Sequence, residues 1–301
     1  MVQISQIVPR LPRFLRRHRA ITVWLSLTGE RPVQLVRFFE EHRALLDLRD
    51  GFNRLVLIDG SYDNELLQIA KPFLTSGGHY LDIGANCGMT SFGLCTSQTQ
   101  EHCTFHLFEA NPDLIPILHE TAQHYESFDL RIVHGCISSK PGTSRLCRHI
   151  EHTGAAYVGE EGDVAVNNLC LDDYIAENKI ERIPLAKIDI EGFELHALRG
   201  MRDSMEKGRV EAVILEIAPP WLKRQGHQPA DIFEFLADTG YRCFFFRSDD
   251  PNRSSESVQV EVHGTVLHVY PAEYAHIEGQ TDIIAFHESV YSNRIIDHAS
   301  G

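Results

Sequence analysis

The sequence predicts an α/β fold in which a mostly parallel sheet carries helices on both faces. From Tyr80 onward, short apolar segments alternate with helical segments of about 10 to 15 residues, the pattern of right-handed βαβ crossovers. The first of these strands runs into a glycine-rich turn, as expected where such a sheet binds a ligand. A chain of 301 residues, 43% of them hydrophobic, is also long enough to bury one large core.

Residues 1–60 are predicted to form a helical extension, and residues 61–301 the α/β domain. Leu35, Phe38 and Phe39 lie among charged neighbours, which favours an amphipathic helix. Arg54 to Ile58 is predicted to be a short strand, because it is apolar and is followed by turn residues.

A basic segment precedes the apolar run Ala20 to Leu27. Its arginines are Arg10, Arg13, Arg16, Arg17 and Arg19. Because no small-residue cleavage site follows the run, we expect a helical arm that covers the domain or touches a partner, rather than a signal peptide.

The α/β domain is predicted to contain six helices and seven strands, in alternation. The helices are Glu65 to Phe73, Gly88 to Cys95, Asn111 to Tyr125, Leu171 to Asn178, Glu194 to Met205 and Pro229 to Thr239. The strands are Tyr80 to Ile83, Thr104 to Phe108, Leu130 to Val133, Leu185 to Ile190, Val210 to Ile217, Tyr241 to Phe246 and Asp282 to Phe286.

Three stretches of the domain depart from this alternation. Residues 140–169 lack helical periodicity and are predicted to form a loop or hairpin excursion, in which Gly154 to Tyr157 is a candidate acceptor lid. A hairpin is expected from Val258 to Tyr270. The last two strands have no helix between them, which predicts one antiparallel strand at the sheet edge.

Composition excludes several classes of protein. The net charge of −14 argues against a general nucleic-acid binder, which needs a positive surface. The seven cysteines are odd in number and form no C-x-x-C pair, so reduced thiols and a cytoplasmic location are predicted. No run approaches the ~18 apolar residues of a transmembrane helix.

The glycine-rich turn predicts a nucleoside cofactor. Asp82, Gly84, Ala85, Asn86 and Gly88 are the predicted cofactor-binding residues of the loop. A nicotinamide dinucleotide would need G-x-G-x-x-G, but Asn86 stands at the second glycine position and Asp82 would repel a pyrophosphate. A carboxylate there instead suits a ligand with a positive amino group, such as the methionine part of S-adenosylmethionine.

Glu109 ends the next strand, about 20 residues further on, where a carboxylate can accept hydrogen bonds from a ribose diol. The alternative is a charge that stabilises the N-terminus of the helix beginning near Asn111. Adenine is expected near Cys136, which we interpret as a small packing residue rather than a reactive thiol.

The fourth strand carries polar residues where a central strand should be apolar. Lys187, Asp189 and Glu191 alternate, so they should project to the same side. One interpretation is an internal ion pair. The other is an acceptor site, with Asp189 as the base or orienting group, Glu191 second, and Glu216 completing the site. The same carboxylates suit a divalent cation, and the sequence does not decide between base and metal.

Four segments resemble the FkbM family of methyltransferases. They are LDIGANCG at Leu81 to Gly88, FEANP at Phe108 to Pro112, LDDY at Leu171 to Tyr174 and KIDIEGFE at Lys187 to Glu194. The resemblance covers Leu66 to Glu216 and implies a class I methyltransferase fold with a seven-stranded sheet, S-adenosylmethionine as donor, and O-methylation of a hydroxyl on a sugar, glycan or polyketide-type product. Cys87 and Ala110 depart from the family pattern.

We therefore predict an S-adenosylmethionine-dependent O-methyltransferase that acts on a small-molecule or saccharide acceptor. An N-methyltransferase of the same fold and a cofactor-binding module without catalysis remain as alternatives. The sequence does not specify the acceptor, the oligomeric state or the role of the basic arm.

Overall fold

The computed structural model describes residues 4–8, 18–39, 41–99, 102–149, 152–254, 256–277, 279–291 and 295–296. Most of the basic arm before Ala20 lies outside these residues. Arg19 belongs to the helix that follows.

The helices and strands are numbered in chain order. The helices are α1 Ile4–Ile7, α2 His18–Thr28, α3 Gly51–Asp59, α4 Asn64–Leu74, α5 Met89–Leu94, α6 Ile115–Ala122, α7 Leu171–Glu177, α8 Glu194–Gly200, α9 Arg202–Glu206, α10 Pro219–Arg224, α11 Pro229–Asp238 and α12 Glu288–Tyr291. The strands are β1 Val33–Phe38, β2 His42–Asp47, β3 Gly78–Ile83, β4 Cys103–Glu109, β5 Asp129–His134, β6 Cys136–Ile137, β7 Gly142–Cys147, β8 Tyr157–Val158, β9 Val164–Leu169, β10 Leu185–Ile188, β11 Ala212–Ile217, β12 Tyr241–Phe245, β13 Val258–Val262, β14 Thr265–Pro271, β15 Thr281–His287 and β16 Ile295–Ile296.

The main sheet is mixed and larger than predicted. Within the described residues it has ten strands in the order β16-β13-β14-β12-β15-β11-β10-β3-β4-β5. The five strands from β11 to β5 are parallel, and β15 runs antiparallel between β11 and β12. The expected seven strands are therefore too few, because the predicted Val258 to Tyr270 hairpin joins the sheet through β14. The antiparallel β15 also lies inside the sheet, not at its edge.

Helices cover both faces of the sheet, as predicted. Alternate residues of β3 point into two separate cores: Tyr80 packs with the core that includes residues of α4 and α5, and Leu81 with the core that includes residues of α7, α8 and α11. Both side chains are fully buried. None of the helices among the described residues is long and apolar enough to cross a bilayer.

The 140–169 excursion forms a second sheet, so the hairpin alternative is the one observed. In this sheet β7 pairs antiparallel with both β8 and β9, and β9 pairs parallel with β6. Because β6 follows β5 after Gly135 alone, the small sheet is anchored beside the carboxyl edge of the main one.

The predicted helical extension is wrong over residues 33–47, where β1 and β2 form an antiparallel hairpin. Gln34, Val36 and Phe38 are buried and their neighbours are less so, a period of two that the helical interpretation overlooked. The strand predicted at residues 54–58 is also wrong, since these residues lie in α3. The Asp50 side chain caps this helix by accepting the backbone N–H groups of Phe52 and Asn53.

Three element boundaries differ from the predictions. Helix α6 begins at Ile115, because the Asn111 side chain accepts the N–H of Asp113 in a turn instead of capping the helix. The helix predicted from Glu194 to Met205 is divided into α8 and α9, and β10 ends at Ile188, two residues earlier than expected.

Candidate active site

A crevice of about 950 Å³ lies at the carboxyl ends of β3, β4, β10 and β11. This is the edge at which open α/β sheets bind ligands. The predicted site residues that line it are Gly84, Ala85, Asn86, Glu109, Cys136, Asp189, Glu191 and Glu216. Asp82 and Gly88 were also predicted, but they do not line the crevice.

Close packing explains why positions 84 and 88 of the loop are glycines, which the sequence alone did not show. Gly84 has φ +81°, and a Cβ there would lie 1.9 Å from the carbonyl oxygen of Asp189. Gly88 has φ +77°, and a Cβ would lie 2.3 Å from the Phe92 ring. Gly84 therefore allows the ends of β3 and β10 to approach each other, which places the glycine loop beside Asp189.

Glu109 organises the loop. The side chain is 7% exposed, and its two oxygens accept the backbone N–H groups of Asn86 and Asn111, each at 2.7 Å. Burial raises the pKa of Glu109, and these two hydrogen bonds oppose the shift. Since α6 begins only at Ile115, the helix-terminus interpretation of Glu109 is not supported, and its carboxylate faces the crevice.

Asp82 is placed differently from the prediction. Its side chain is fully buried beneath the loop, where Oδ2 accepts the Ser91 hydroxyl at 2.6 Å. Its Oδ1 lies 3.6 Å from Nζ of Lys187. Asp82 therefore balances the charge of a buried lysine and does not reach a ligand in the crevice directly.

Lys187 connects the two sides of the site. Its Nζ lies 3.1 Å from Asp189 Oδ2 and donates to the Gly84 carbonyl at 3.3 Å. Burial disfavours the charged amine, but Asp189 and Asp82 outweigh that effect and raise the pKa of Lys187. The internal ion pair predicted from the sequence is present, and its outer member, Asp189, still has 38% of its side chain exposed.

Asp189, Glu191 and Glu216 form an acidic cluster in the crevice. One oxygen of each lies within 4.8 Å of the other two, a separation at which they could hold a metal ion. The prediction that strand alternation brings Asp189 and Glu191 together is wrong, because β10 ends at Ile188. Glu191 instead follows in a turn at φ +52°, and Glu216 arrives from β11.

Burial and crowding raise the pKa values of the two glutamates in this cluster. Burial together with Asp189 and Glu194 raises the pKa of Glu191 to about 8. Burial together with Asp189, Asp282 and Glu191 raises the pKa of Glu216 to about 9. Glu216 Oε1 also accepts Nε2 of Gln280 at 2.5 Å. At neutral pH both glutamates are therefore mainly protonated and able to donate hydrogen bonds.

Sequence reasoning missed three charged residues that line the crevice: Asp63, Arg247 and Asp282. Asp282 lies on β15, where it contributes to the raised pKa of Glu216. Arg247 binds both Asp282 and Asp63. Arg247 and Asp282 line the crevice, and their positions depend on β15 inserting between β11 and β12, which no local pattern indicates.

A turn of the 140–169 excursion forms part of the crevice wall. The Thr153 N–H donates to Asp50 Oδ2 at 2.5 Å, and Thr153 Oγ1 lies 2.9 Å from the same oxygen and 3.2 Å from Asn86 Oδ1. The candidate lid, Gly154 to Tyr157, follows directly and lines the crevice. The excursion is thus bonded to α3 and to the glycine loop.

The remaining wall is apolar. Cys136 and Phe193 are buried in one hydrophobic cluster, with Ala110 and Ile190 packed against it, and all four line the crevice. Burial raises the pKa of the Cys136 thiol to about 11, which keeps it protonated and unreactive. Cys136 is thus a buried packing residue, and adenine binding at this wall stays a prediction.

The family described as methyltransferase FkbM domain matches residues 82–243. Over 157 residues the chain is 26% identical to the hexuronic acid methyltransferase AglP of Haloferax volcanii, a match that covers 52% of this chain and 60% of that relative. The chain therefore spans less than two thirds of the relative's length.

Two solved structures also align with part of this chain. A methyltransferase FkbM from Methylobacillus flagellatus KT has a TM-score of 0.42 and 14% identity, covering 70% of this chain and 44% of its own. The fibrillarin pre-rRNA processing protein of Methanococcus jannaschii has a TM-score of 0.40 and 11% identity, covering 87% of this chain and 86% of its own.

Proposed function

Because the chain belongs to the FkbM methyltransferase family, we propose that it transfers a methyl group from S-adenosylmethionine to a hydroxyl of a sugar, glycan or small natural product. One observation carries this proposal. A single crevice holds a carboxylate suited to a ribose, Glu109, and a cluster of carboxyl groups suited to an acceptor, Asp189, Glu191 and Glu216.

The residues present fit the cofactor. Each Glu109 oxygen accepts one backbone N–H and keeps a lone pair for a ribose hydroxyl. The apolar wall around Cys136 and Phe193 suits adenine. Since Asp82 is buried behind the loop, it would not contact the amino group of the methionine part directly. The cofactor supplies a methyl group activated by a positively charged sulfur.

Asp189 is the proposed base. A hydroxyl is a weak nucleophile, so a positioned carboxylate must take its proton as the oxygen–carbon bond forms and the carbon–sulfur bond breaks. Asp189 is partly exposed to the crevice, and the buried Lys187 orients it. Glu191 and Glu216, protonated at neutral pH, would donate hydrogen bonds that hold the acceptor in line.

A saccharide acceptor is supported by two observations. The relative AglP is named for a hexuronic acid, which is a sugar. The acceptor side of the crevice is also rich in carboxyl groups and includes the ring of Tyr157, a combination that suits sugar hydroxyls and the apolar face of a pyranose.

The acidic cluster could instead act through a divalent cation. Hard carboxylate oxygens suit Mg²⁺, which would lower the pKa of a bound hydroxyl. Activity in the presence of EDTA distinguishes the two roles. A site that uses a carboxylate base keeps its activity in EDTA, whereas a metal-dependent site loses activity and regains it with added MgCl₂.

Calorimetric titration tests the cofactor. We expect micromolar binding of S-adenosylmethionine and S-adenosylhomocysteine but no binding of NADH, and at least about tenfold weaker binding to Glu109→Ala, near 1.4 kcal/mol. Binding of NADH alone, or of no nucleoside, would reject the proposal.

A screen for S-adenosylhomocysteine formation tests the reaction. The panel contains monosaccharides and oligosaccharides with hydroxyl groups only, and matched amino sugars. Product formation with the hydroxyl set supports O-methylation, and formation confined to the amino set supports N-methylation. Cofactor binding without product from any acceptor would favour a binding module.

A further inference from the structure

Arg224 is the last residue of α10, outside the crevice lining, and its side chain is exposed. Its guanidinium carbon lies 4.3 Å from the centroid of the Trp221 ring and 4.7 Å from that of Tyr157. The two rings are themselves in contact, with centroids 5.2 Å apart. Stacking on both rings restricts a side chain that would otherwise be mobile.

Packing of α10 brings Arg224 close to the acidic cluster. Gly192, in the turn that follows Glu191, lies so near α10 that a Cβ on it would be 2.4 Å from the Trp221 carbonyl oxygen. The charge of Arg224 partly opposes the rise in the pKa of Glu191, so the two side chains interact electrostatically. Tyr157, on which Arg224 stacks, lines the crevice.

Arg224 differs from the lysine and arginine that line the crevice. Lys187 is paired with Asp82 and Asp189, and Arg247 with Asp63 and Asp282. No described residue forms a hydrogen bond or ion pair with the Arg224 guanidinium. Its five N–H donors are therefore available to a ligand in a fixed plane.

We propose that Arg224 binds an anionic group of the acceptor, so that the substrate is an acidic saccharide whose ring packs against Tyr157. This inference rests on the proposed function and narrows its substrate class. A planar guanidinium binds a carboxylate through two parallel hydrogen bonds. It also supplies a positive charge that complements an anionic sugar.

The test is calorimetry with matched sugars in the presence of saturating S-adenosylhomocysteine. The probes are the methyl glycosides of glucuronic and galacturonic acid and of their neutral counterparts, glucose and galactose. We expect the wild-type protein to bind a uronide at least about tenfold more tightly than its neutral partner. Arg224→Gln should abolish that preference, and Arg224→Lys should restore only part of it.

Arg202→Gln is the matched control. Arg202 also stacks on an aromatic ring, with its guanidinium carbon 4.5 Å from the centroid of Phe235, but Phe235, unlike Tyr157, does not line the crevice. This variant should keep the full uronide preference. Equal melting temperatures for the three variants and the wild type would confirm that each folds.

Three outcomes would overturn the inference: binding of neither uronide, equal binding of uronide and neutral sugar, or a preference that survives in Arg224→Gln. A loss of S-adenosylhomocysteine affinity in Arg224→Gln would also overturn it, because the arginine would then serve the cofactor. Cofactor binding is measured in the same samples, so failure of the acidic-acceptor inference is distinguishable from failure of the proposed methyl transfer.

Discussion

The two sides of the crevice are built by opposite means. On the proposed cofactor side, the buried Glu109 carboxylate is held by two backbone N–H groups, and the neighbouring wall is apolar. On the proposed acceptor side, oxygens of Asp189, Glu191 and Glu216 lie within 4.8 Å of one another, and burial together with neighbouring carboxyl groups raises the pKa values of the two glutamates. On the first side, backbone N–H groups satisfy the carboxylate. On the second side, the two glutamates retain their protons at neutral pH.

This difference separates two kinds of recognition. A cofactor that is the same in every turnover can be met by fixed backbone geometry, which needs no rearrangement. An acceptor that must lose a proton requires groups that can gain or release one, and crowded carboxyl groups provide them. Each variant below alters either one side or the contact between the two sides.

Asp189→Asn should have the largest effect on the acceptor side. An amide cannot take the proton of a hydroxyl, so kcat should fall about 10²- to 10⁴-fold with the acceptor found by screening. Binding of S-adenosylhomocysteine should change little, since the amide oxygen of the variant can still accept a hydrogen bond from Lys187. Asp203→Asn, which alters only an exposed pair with Lys207, is the control. An unchanged kcat would exclude Asp189 as the base.

Gly84→Ala should have the next largest effect, because it separates the two sides. The new Cβ would meet the Asp189 carbonyl oxygen at 1.9 Å, at a φ that alanine disfavours. We expect a loss of about 3 kcal/mol in the free energy of unfolding, measured by urea denaturation.

Gly226→Ala is the control for this contact. Gly226 has φ +76° but nothing within 4 Å of its Cβ position, so only the conformational cost applies, about 1 kcal/mol. Equal losses for the two variants would show that the approach of β3 to β10 is unimportant for stability.

Glu109→Gln should affect only the cofactor side. A glutamine has one oxygen, so it can accept from Asn86 or from Asn111 but not from both as the carboxylate does. Binding of S-adenosylhomocysteine should weaken about tenfold by calorimetry, near 1.4 kcal/mol. Glu206→Gln, which changes an exposed pair with Arg202, should bind as the wild type does. Unaltered binding by Glu109→Gln would argue against a ribose contact.

Most of the site residues predicted from the sequence line the crevice, on both sides, with Asp82 and Gly88 as the exceptions. Gly84, Asn86 and Glu109 stand in short motifs at the ends of adjacent strands, and parallel strands bring their carboxyl ends to one edge. Asp82 was misplaced because its polar character suggested a ligand, whereas its partner is Lys187, far away in sequence.

The acceptor side depends on topology that local patterns do not contain. Asp282 reaches the cluster because β15 inserts antiparallel beside β11, and Arg247 binds Asp282 from beyond the end of β12.

The β1–β2 hairpin was missed for a related reason. Its apolar residues also fit a helical period, and pairing with a partner strand decides between the two structures.

Glu216→Gln should show the smallest effect, and one that depends on pH. The pKa of this carboxyl is 4.5 in an ordinary environment and about 9 in the folded protein. Between these values the folded chain binds a proton that the unfolded chain has released, so Glu216 lowers the free energy of unfolding as pH rises. Glutamine carries no such cost. The variant should therefore match the wild type near pH 4.5 and exceed it by about 1 kcal/mol at pH 5.5, measured by urea denaturation at both values. A constant difference across this range would mean that crowding by Asp189, Asp282 and Glu191 does not raise this pKa, and the contrast between the two sides of the crevice would lose its electrostatic basis.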